Sequence, residues 1–578
     1  MPQRFQTSHR QPNRNWTNLL ALSLAVTFCG CSSLWPSQSE DADQEARLRE
    51  LMRIPEPPDL IREATVAQGM QPIQVDGVGA VNGLPGTGGP ADPSVYRDQL
   101  LEEMKRHDIP DSNHFLEQSD TALVRVRATI PPGARRGDVV DVRLLAPKQS
   151  RVSDLHGGWL LDTRLRQQQV LQNTVRQSEV MAIGTGPVLT RADYTPGMDD
   201  ALRIEGNVLA GGRVQVTRKL GLILRPEYQH AKMAEALSAA VNRRFFFFDG
   251  TTRRGIAKPL EDDFIEIDVH PRYRDNIPRM MEVVRAIGGK PESSDTQNRL
   301  ADLANRLRDT ATAADAAVQL EALGDSAVPT LLQGIKSPNP ELRFYAAEAL
   351  AYLDRSEAIE PLETAARGVA AFRHPALLAL KGLDQQRAID ALKRLMNEPS
   401  LETRYGSFCA IRQRVDGKRS LAGRPVGSFW LYEVPSMAPP AVVVSLRESP
   451  EIVLMGTTTS IQIPEFLIGP GGLMIKRDAS RPGQLRISRF QAGKDDKRTI
   501  VNDSVGSVIQ GIVSVGGGYG DVITILRMAK DEGYLSDQLA IDPLPKSSRT
   551  YYREQNDDES EDDFEKVADI VVTGKALN

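Results

Sequence analysis

Between residues 124 and 144 the chain alternates. Val124, Val126, Ala128 and Ile130 are separated by Arg125, Arg127 and Thr129, and after Pro131-Pro132-Gly133 the period of two resumes with Val140, Val142 and Leu144 around Asp141 and Arg143. That period sends successive side chains to opposite faces, so it predicts two half-buried strands joined through a Pro-Gly turn. Similar short patterns predict a strand beginning at Val214-Gln215-Val216 and another through Ile265, Ile267 and Val269. Between these lie helical stripes: one over residues 96–106, one through Met233, Leu237, Ala240 and Val241, and one through Met281, Val284 and Ile287 after Pro271. Residues 70–289 therefore read as a mixed strand-and-helix body. Its opening, residues 76–89, is rich in glycine.

From 301 to 399 the pattern changes to Ala- and Leu-rich helix, and it repeats. Leu320, Leu350 and Leu380 correspond, as do Leu323, Leu353 and Leu383; Ala358-Ile359 maps onto Ala388-Ile389 and Pro329 onto Pro361. A period near thirty residues fits stacked helix pairs, none of which can bury its apolar face alone, and it resembles short HEAT-like repeats. Strand patterns return over 441–446, 452–455, 461–463 and 485–487. Two helices over 503–513 and 521–532 follow, joined by the glycine run 516–520, with Asp521 as a candidate N-cap and Gly533 as a C-terminal stop. Residues 405–542 thus form a second strand-and-helix part. The fold class expected is α+β, a multi-domain body interrupted by a short helical solenoid.

The ends differ from this middle. Arg4, Arg10 and Arg14 precede an apolar run over 19–28 that closes in Phe28-Cys29-Gly30-Cys31. A basic region, a short apolar core and small residues at the cut are the pattern of an export signal, and the run is short for a bilayer span. Gly30-Cys31 also resembles a bacterial lipobox. Residues 1–30 are then a signal peptide and 31–69 a polar tether, with Cys31 the lipidated first residue of the mature chain; Phe28, less usual than Leu at its position, leaves a plain signal peptide as the alternative. By analogy with bacterial lipoproteins, Ser32 after the cysteine implies the outer membrane. At the other end, 543–578 contains the acidic run 557–565, which reads as a disordered, solvated tail or as a segment for a basic partner.

Composition narrows the function classes. With 71 Lys+Arg against 76 Asp+Glu, no overall basic field speaks for nucleic acid. Of three cysteines two lie in the signal region, so Cys409 has no disulfide partner in the body and reads as a small buried residue. No catalytic, cofactor or metal site emerges. Gly77-Val78-Gly79 with Gly83 is out of register for a dinucleotide fingerprint, and no phosphate-loop Lys-Ser/Thr follows Gly88. Gly324-Asp325-Ser326 resembles a nucleophile motif but sits at a turn between repeat helices, where Asp and Ser serve as caps. His107, His114, His156, His230, His270 and His374 lack metal-ligand spacing. The run Phe245–Phe248 reads as a strand buried on both faces or at a subunit contact, with a membrane-touching edge as the alternative.

Several of these stretches together are similar to the flagellar basal-body P-ring proteins. The resemblance lies in Val75-Asp76-Gly77-Val78-Gly79 through Asn82-Gly83-Leu84-Pro85-Gly86-Thr87-Gly88, and in Ile130-Pro131-Pro132-Gly133-Ala134-Arg135-Arg136-Gly137-Asp138 between strands. It continues in Leu155-His156-Gly157-Gly158-Trp159-Leu160-Leu161, the helix over 234–242, Ile452-Val453-Leu454-Met455-Gly456 and the terminal helix pair. It spans about 70–289 and 442–540, and implies a non-enzymatic subunit of a homo-oligomeric periplasmic ring, a bushing around the flagellar rod. Neighbours implied are rod and L-ring proteins and peptidoglycan, with no cofactor. Cys31, the repeat segment and the acidic tail depart from the family pattern. They leave a repurposed envelope scaffold or secretion-ring lipoprotein as the alternative, with a periplasmic cell-wall enzyme a distant third. The repeats themselves could form a docking arm.

Overall fold

The strands at 122–130 and 139–145 pair antiparallel, as their alternation requires, and they belong to a closed barrel. This computed structural model describes residues 54–552 apart from 148–149, 172–173, 198–199, 291–295, 492 and 494. Around the barrel run Val139–Leu145, Ala122–Ile130, Ile73–Asn82, Trp159–Leu171, Thr174–Pro187 and Glu205–Val214, and the last returns to pair with the first. Closure leaves no open edge along these strands. The inward set, including Val75, Val124, Val126, Val142, Leu144, Leu160, Leu165 and Val208, fills the interior. The glycines of the opening segment serve this packing: a Cβ on Gly79 would sit 2.1 Å from Thr163 Oγ1 on the neighbouring strand. Val214 ends the strand Glu205–Val214 rather than beginning one, because its hydrogen bonds continue the barrel backwards from that residue.

A second, four-stranded antiparallel sheet joins Thr65–Gln68, Leu220–Leu224, Phe264–Ile267 and Ala257–Pro259. Helices Ala231–Arg244 and Ile277–Arg285 supply its apolar cover through Met233, Leu237, Val241, Met280, Val283 and Val284. The tether expected over 31–69 is therefore too long. The short helix Ile61–Ala64 packs into the core beside this sheet, with Ile61 fully buried, and the strand after it joins the sheet. The four-phenylalanine run is not a buried central strand. Only Phe245 is buried; Phe246–Asp249 forms a two-stranded hairpin with Thr252–Gly255, and Phe248 is exposed. Hydrogen bonding to a single partner strand leaves that ladder open on both sides.

The repeats form successive helices at Ala313–Leu323, Val328–Gly334, Pro340–Tyr352, Ile359–Gly368, Ala370–Gly382, Gln386–Leu395 and Leu401–Gln413. Leu320, Leu350 and Leu380 occupy equivalent places on alternate helices and are each 0% exposed. The solenoid is not a free arm. One continuous core runs from Ile61 beside the second sheet, through the repeats, to Val453 and Met455 beyond them.

After the solenoid comes a five-stranded sheet ordered Gly423–Val426, Phe429–Val434, Glu451–Met455, Ala441–Val444 and Gln538–Ile541. Its two middle strands are buried throughout, which explains their unbroken apolar runs. Val443, Val453 and Met455 face the solenoid core, whereas Val442, Val444, Ile452 and Leu454 face a second core beneath helices Val505–Ser514 and Tyr519–Asp531. A four-stranded sheet, Phe466–Ile468, Leu473–Arg477, Gln484–Arg489 and Lys497–Asn502, closes that second core with Leu467, Ile475, Leu485 and Ile487. Residues 543–552, assigned to the disordered tail from sequence, are ordered against the repeats. Arg549 forks onto Glu402 at 2.6 and 2.7 Å, and Tyr551 stacks on Phe372. The acidic run 557–565 and the signal region with Cys31 lie outside the described residues.

Candidate functional site

The turn motif Gly324-Asp325-Ser326 and Cys409, considered for chemistry, lie apart in structural roles. Ser326 donates to the Leu323 carbonyl at 3.2 Å and Asp325 pairs with Arg355 at 2.8 Å, so the turn motif serves its helix ends. Cys409 faces the solenoid core, and burial pushes its thiol up to about 12, far from a reactive thiolate. Among the described residues no His/Cys/Asp/Glu group is arranged to hold a metal ion, and no helix is long and apolar enough to cross a membrane.

What the fold does bring together is a set of buried polar contacts at three junctions. The first joins the barrel to the part after the repeats. His156, in the loop before the strand Trp159–Leu171, lies between two carboxylates: Nδ1 is 2.7 Å from Asp193 Oδ1 and Nε2 is 2.9 Å from Asp521 Oδ1. Burial alone would push the imidazole down, but both hydrogen bonds and both charges oppose it and carry it up to about 10. The doubly protonated ring is the form that donates from both nitrogens. Burial tends to raise Asp521, yet the His156 contact, the Gly518 N–H at 2.8 Å and Arg489 hold it below the usual carboxylate range. Asp521 is not the N-cap expected from sequence. It stands three residues after the N-cap Gly518, where its carboxylate still accepts from the cap's backbone. Gly520 lets the helix come close: a Cβ there would meet Asp193 Oδ2 at 2.7 Å.

Asp141 makes a second tie across the same junction. Its carboxylate accepts from Ala210 N at 2.8 Å within the barrel and from Glu448 N at 2.9 Å in the later part. Both donors have positive φ, 52° and 50°. Such backbone costs on the order of 1 kcal/mol or more for a non-glycine residue, and the shared acceptor helps to fix it. Leu189, Tyr194 and Leu209 extend the contact by packing into the second core.

The other two junctions anchor the solenoid. At its start, Arg279 is inserted between Glu321 and Glu348, both at 2.7 Å, with its side chain 10% exposed. Tyr273 donates to Glu321 at 2.6 Å and stacks on Tyr352, which accepts from Asn276 at 2.9 Å. Burial raises Glu348, with Arg279 opposing it. At the far end, Tyr405 donates to Glu451 at 3.2 Å and Arg412 lies 3.1 Å from the same carboxylate. Burial still carries Glu451 up to about 7. Arg404 reaches the Pro439 carbonyl at 2.8 Å.

Sequence reading missed all three junctions, since their members lie tens to hundreds of residues apart. The available signal was polar residues on otherwise apolar helix faces, Glu321 and Glu348 in alanine-rich helices and Arg404 beside Tyr405.

Comparison with known proteins places the first part of this body. Residues 60–297 match the family model of the flagellar P-ring protein, and residues 328–412 match that of HEAT repeats. The first range begins where the structure starts the body, at Leu60, rather than at 70. A flagellar P-ring protein of Thermotoga maritima is 26% identical over 243 residues, covering 40% of this chain and 67% of that relative. One of Photorhabdus laumondii is 27% identical over 222 residues, 36% of this chain and 55% of the relative. One of Salmonella newport is 29% identical over 157 residues, 27% and 40% respectively. The resemblance to P-ring proteins and the mixed α+β class with a helical repeat segment both stand. The family match stops at 297, short of the likeness suggested for 442–540.

Proposed function

We propose that this chain is a structural subunit of a periplasmic ring of the bacterial flagellar basal body, a bushing around the rod that supports flagellum assembly and motility. The observation that carries the reading is the P-ring match over residues 60–297, which coincides with the barrel and the second sheet. The buried ties at three junctions support it, because a subunit repeated around a closed ring must present its two contact surfaces at a fixed angle. The solenoid, with one core shared across its two ends, adds a rigid element to that subunit. Partners under this reading are further copies of the chain, rod and L-ring proteins, and peptidoglycan. The test is electron microscopy of detergent-extracted hook–basal bodies from cells carrying a tagged mature chain. Tag density on a periplasmic ring is expected. Tagged protein that stays in the membrane fraction of motile cells, away from basal bodies, would instead favour an envelope scaffold built on the same fold.

Lipidation of Cys31 would tether such a ring to the outer membrane, and the motif Gly30-Cys31-Ser32 supports this part of the proposal. Each buried CH₂ of an acyl chain adds about 0.8 kcal/mol of membrane affinity. Cys31→Ser is expected to move the protein from the outer-membrane to the soluble periplasmic fraction in cells lacking other flagellar proteins. Unchanged fractionation would remove the anchor from the model.

A further inference from the structure

The four-stranded sheet of residues 466–502 has one face on the second core and one face open. Register puts Phe466, Lys476, Arg486 and Ile500 side by side on the open face, with Ile468, Met474 and Arg498 in the next row around the buried Ser488. Phe466 and Ile468 are 51% and 60% exposed, Ile500 is 42% exposed, and Phe490 at the strand end, 40% exposed, lies under the Arg498 guanidinium. The face is thus apolar and basic together. Of its cations, Arg486 faces the buried Asp478 only at 3.6 Å and Arg498 pairs with a neighbour two residues away, Asp496. A sheet face of this kind calls for a partner that is acidic and apolar in the same stretch.

The chain itself contains such a stretch. Seven of the nine residues 557–565 are Asp or Glu, Phe564 stands among them, and Val567, Ala568, Ile570, Val571 and Val572 follow. We propose that residues 557–572 of the same chain dock on the open face of the 466–502 sheet, with the acidic run over Lys476, Arg486 and Arg498 and the apolar residues over Phe466, Ile468 and Ile500. Four residues separate Tyr552, the last described, from Asp557, and fourteen separate it from Val567, reaches of up to about 17 and about 50 Å. Attachment on such a linker gives the segment an effective concentration on the order of millimolar, so it outcompetes a free partner of equal chemistry. The docked segment shields an apolar patch, and anything else that uses this face must first displace it.

The test uses the full mature chain. Carbodiimide, which joins an amine directly to a carboxylate, is expected to link Lys476 to a carboxylate within 557–565. In a mixture of ¹⁴N- and ¹⁵N-labelled protein the link is expected within single copies. Backbone amides of 564–572 are expected to exchange at least about tenfold more slowly than in a Lys476→Glu/Arg486→Glu/Arg498→Glu variant. High salt should also speed their exchange. Phe466→Ser/Ile468→Ser, at exposed positions, provides a second variant with the same expected loss of protection should charge reversal disturb the fold. Equal exchange in all three proteins would overturn the proposal, and links found only between differently labelled copies would replace the chain's own segment with a neighbour's.

Discussion

Replacing Arg279 by methionine is expected to lower the stability of the protein by about 3–5 kcal/mol, the range measured when one partner of a buried charge cluster is removed. The substitution keeps most of the side chain's length and apolar stem. What it removes is the one cation between Glu321 and Glu348, whose side chains are 0% and 7% exposed. Glu321 would retain the Tyr273 hydroxyl, but Glu348 forms its ion pair with Arg279 alone among the described residues. Burial already raises Glu348, so in the variant it should take up a proton, and the stability gap to wild type should narrow as pH falls. The triple change Arg279→Met/Glu321→Gln/Glu348→Gln should recover much of the loss, since the penalty comes from unpaired buried charge. Urea unfolding with hydrogen exchange resolved on helices Ala313–Leu323 and Pro340–Tyr352 would read both effects. A loss below about 1 kcal/mol would show that the cluster does not hold the solenoid to the body.

The same cluster explains why the repeats could be recognised from sequence but not placed. Their period is local. Leu320, Leu350 and Leu380 repeat because each alternate helix must bury the equivalent position against its neighbours, and a core position of that kind writes itself into the chain at fixed spacing. Where the solenoid attaches is a matter of single residues from distant segments. Arg279 precedes Glu321 by 42 residues and Glu348 by 69, and nothing in the intervening pattern marks them as partners. The alternation over 122–144 likewise disclosed two strands, but not that Val139–Leu145 returns to Glu205–Val214 and closes a barrel.

Misplaced elements have equally local causes. The strand placed at Val214 continued an apolar alternation whose hydrogen bonds in fact lie on the side before it. The phenylalanine run Phe245–Phe248 carries the composition of a buried strand, yet it is paired only to Thr252–Gly255, with Arg253 over the Phe246 ring at 3.9 Å. Composition measures what a segment could bury, whereas the number of partner strands decides what it does bury. The tail boundary fails for a related reason. Residues 543–552 are polar enough to read as solvated, but Leu544 packs on the solenoid core, Arg549 forks onto Glu402 and Tyr551 stacks on Phe372.

His156 is the residue whose importance was least legible, being one of seven scattered histidines, and it carries the sharpest pH dependence. Its unfolded value lies near 6.5 and its folded value at about 10. A raised value means that the folded state binds the proton more tightly. The contribution of the Asp193–His156–Asp521 clamp is therefore complete below about pH 6.5, falls between 6.5 and 10, and is gone above that. On the acid side Asp521, held below its usual range, makes its contribution above about pH 4 and loses it as pH falls through the depressed value. His156→Gln keeps two polar groups near the carboxylates but no charge, and is expected to cost about 2–4 kcal/mol at pH 6. The difference between variant and wild type should shrink steadily toward pH 10. Urea midpoints of both proteins from pH 5 to 10 would measure it, with exchange at helix Tyr519–Asp531 reporting whether the barrel and the later part loosen from each other. A gap of the same size at pH 6 and pH 10 would mean that His156 holds the junction by shape alone, not by the proton it shares with two carboxylates.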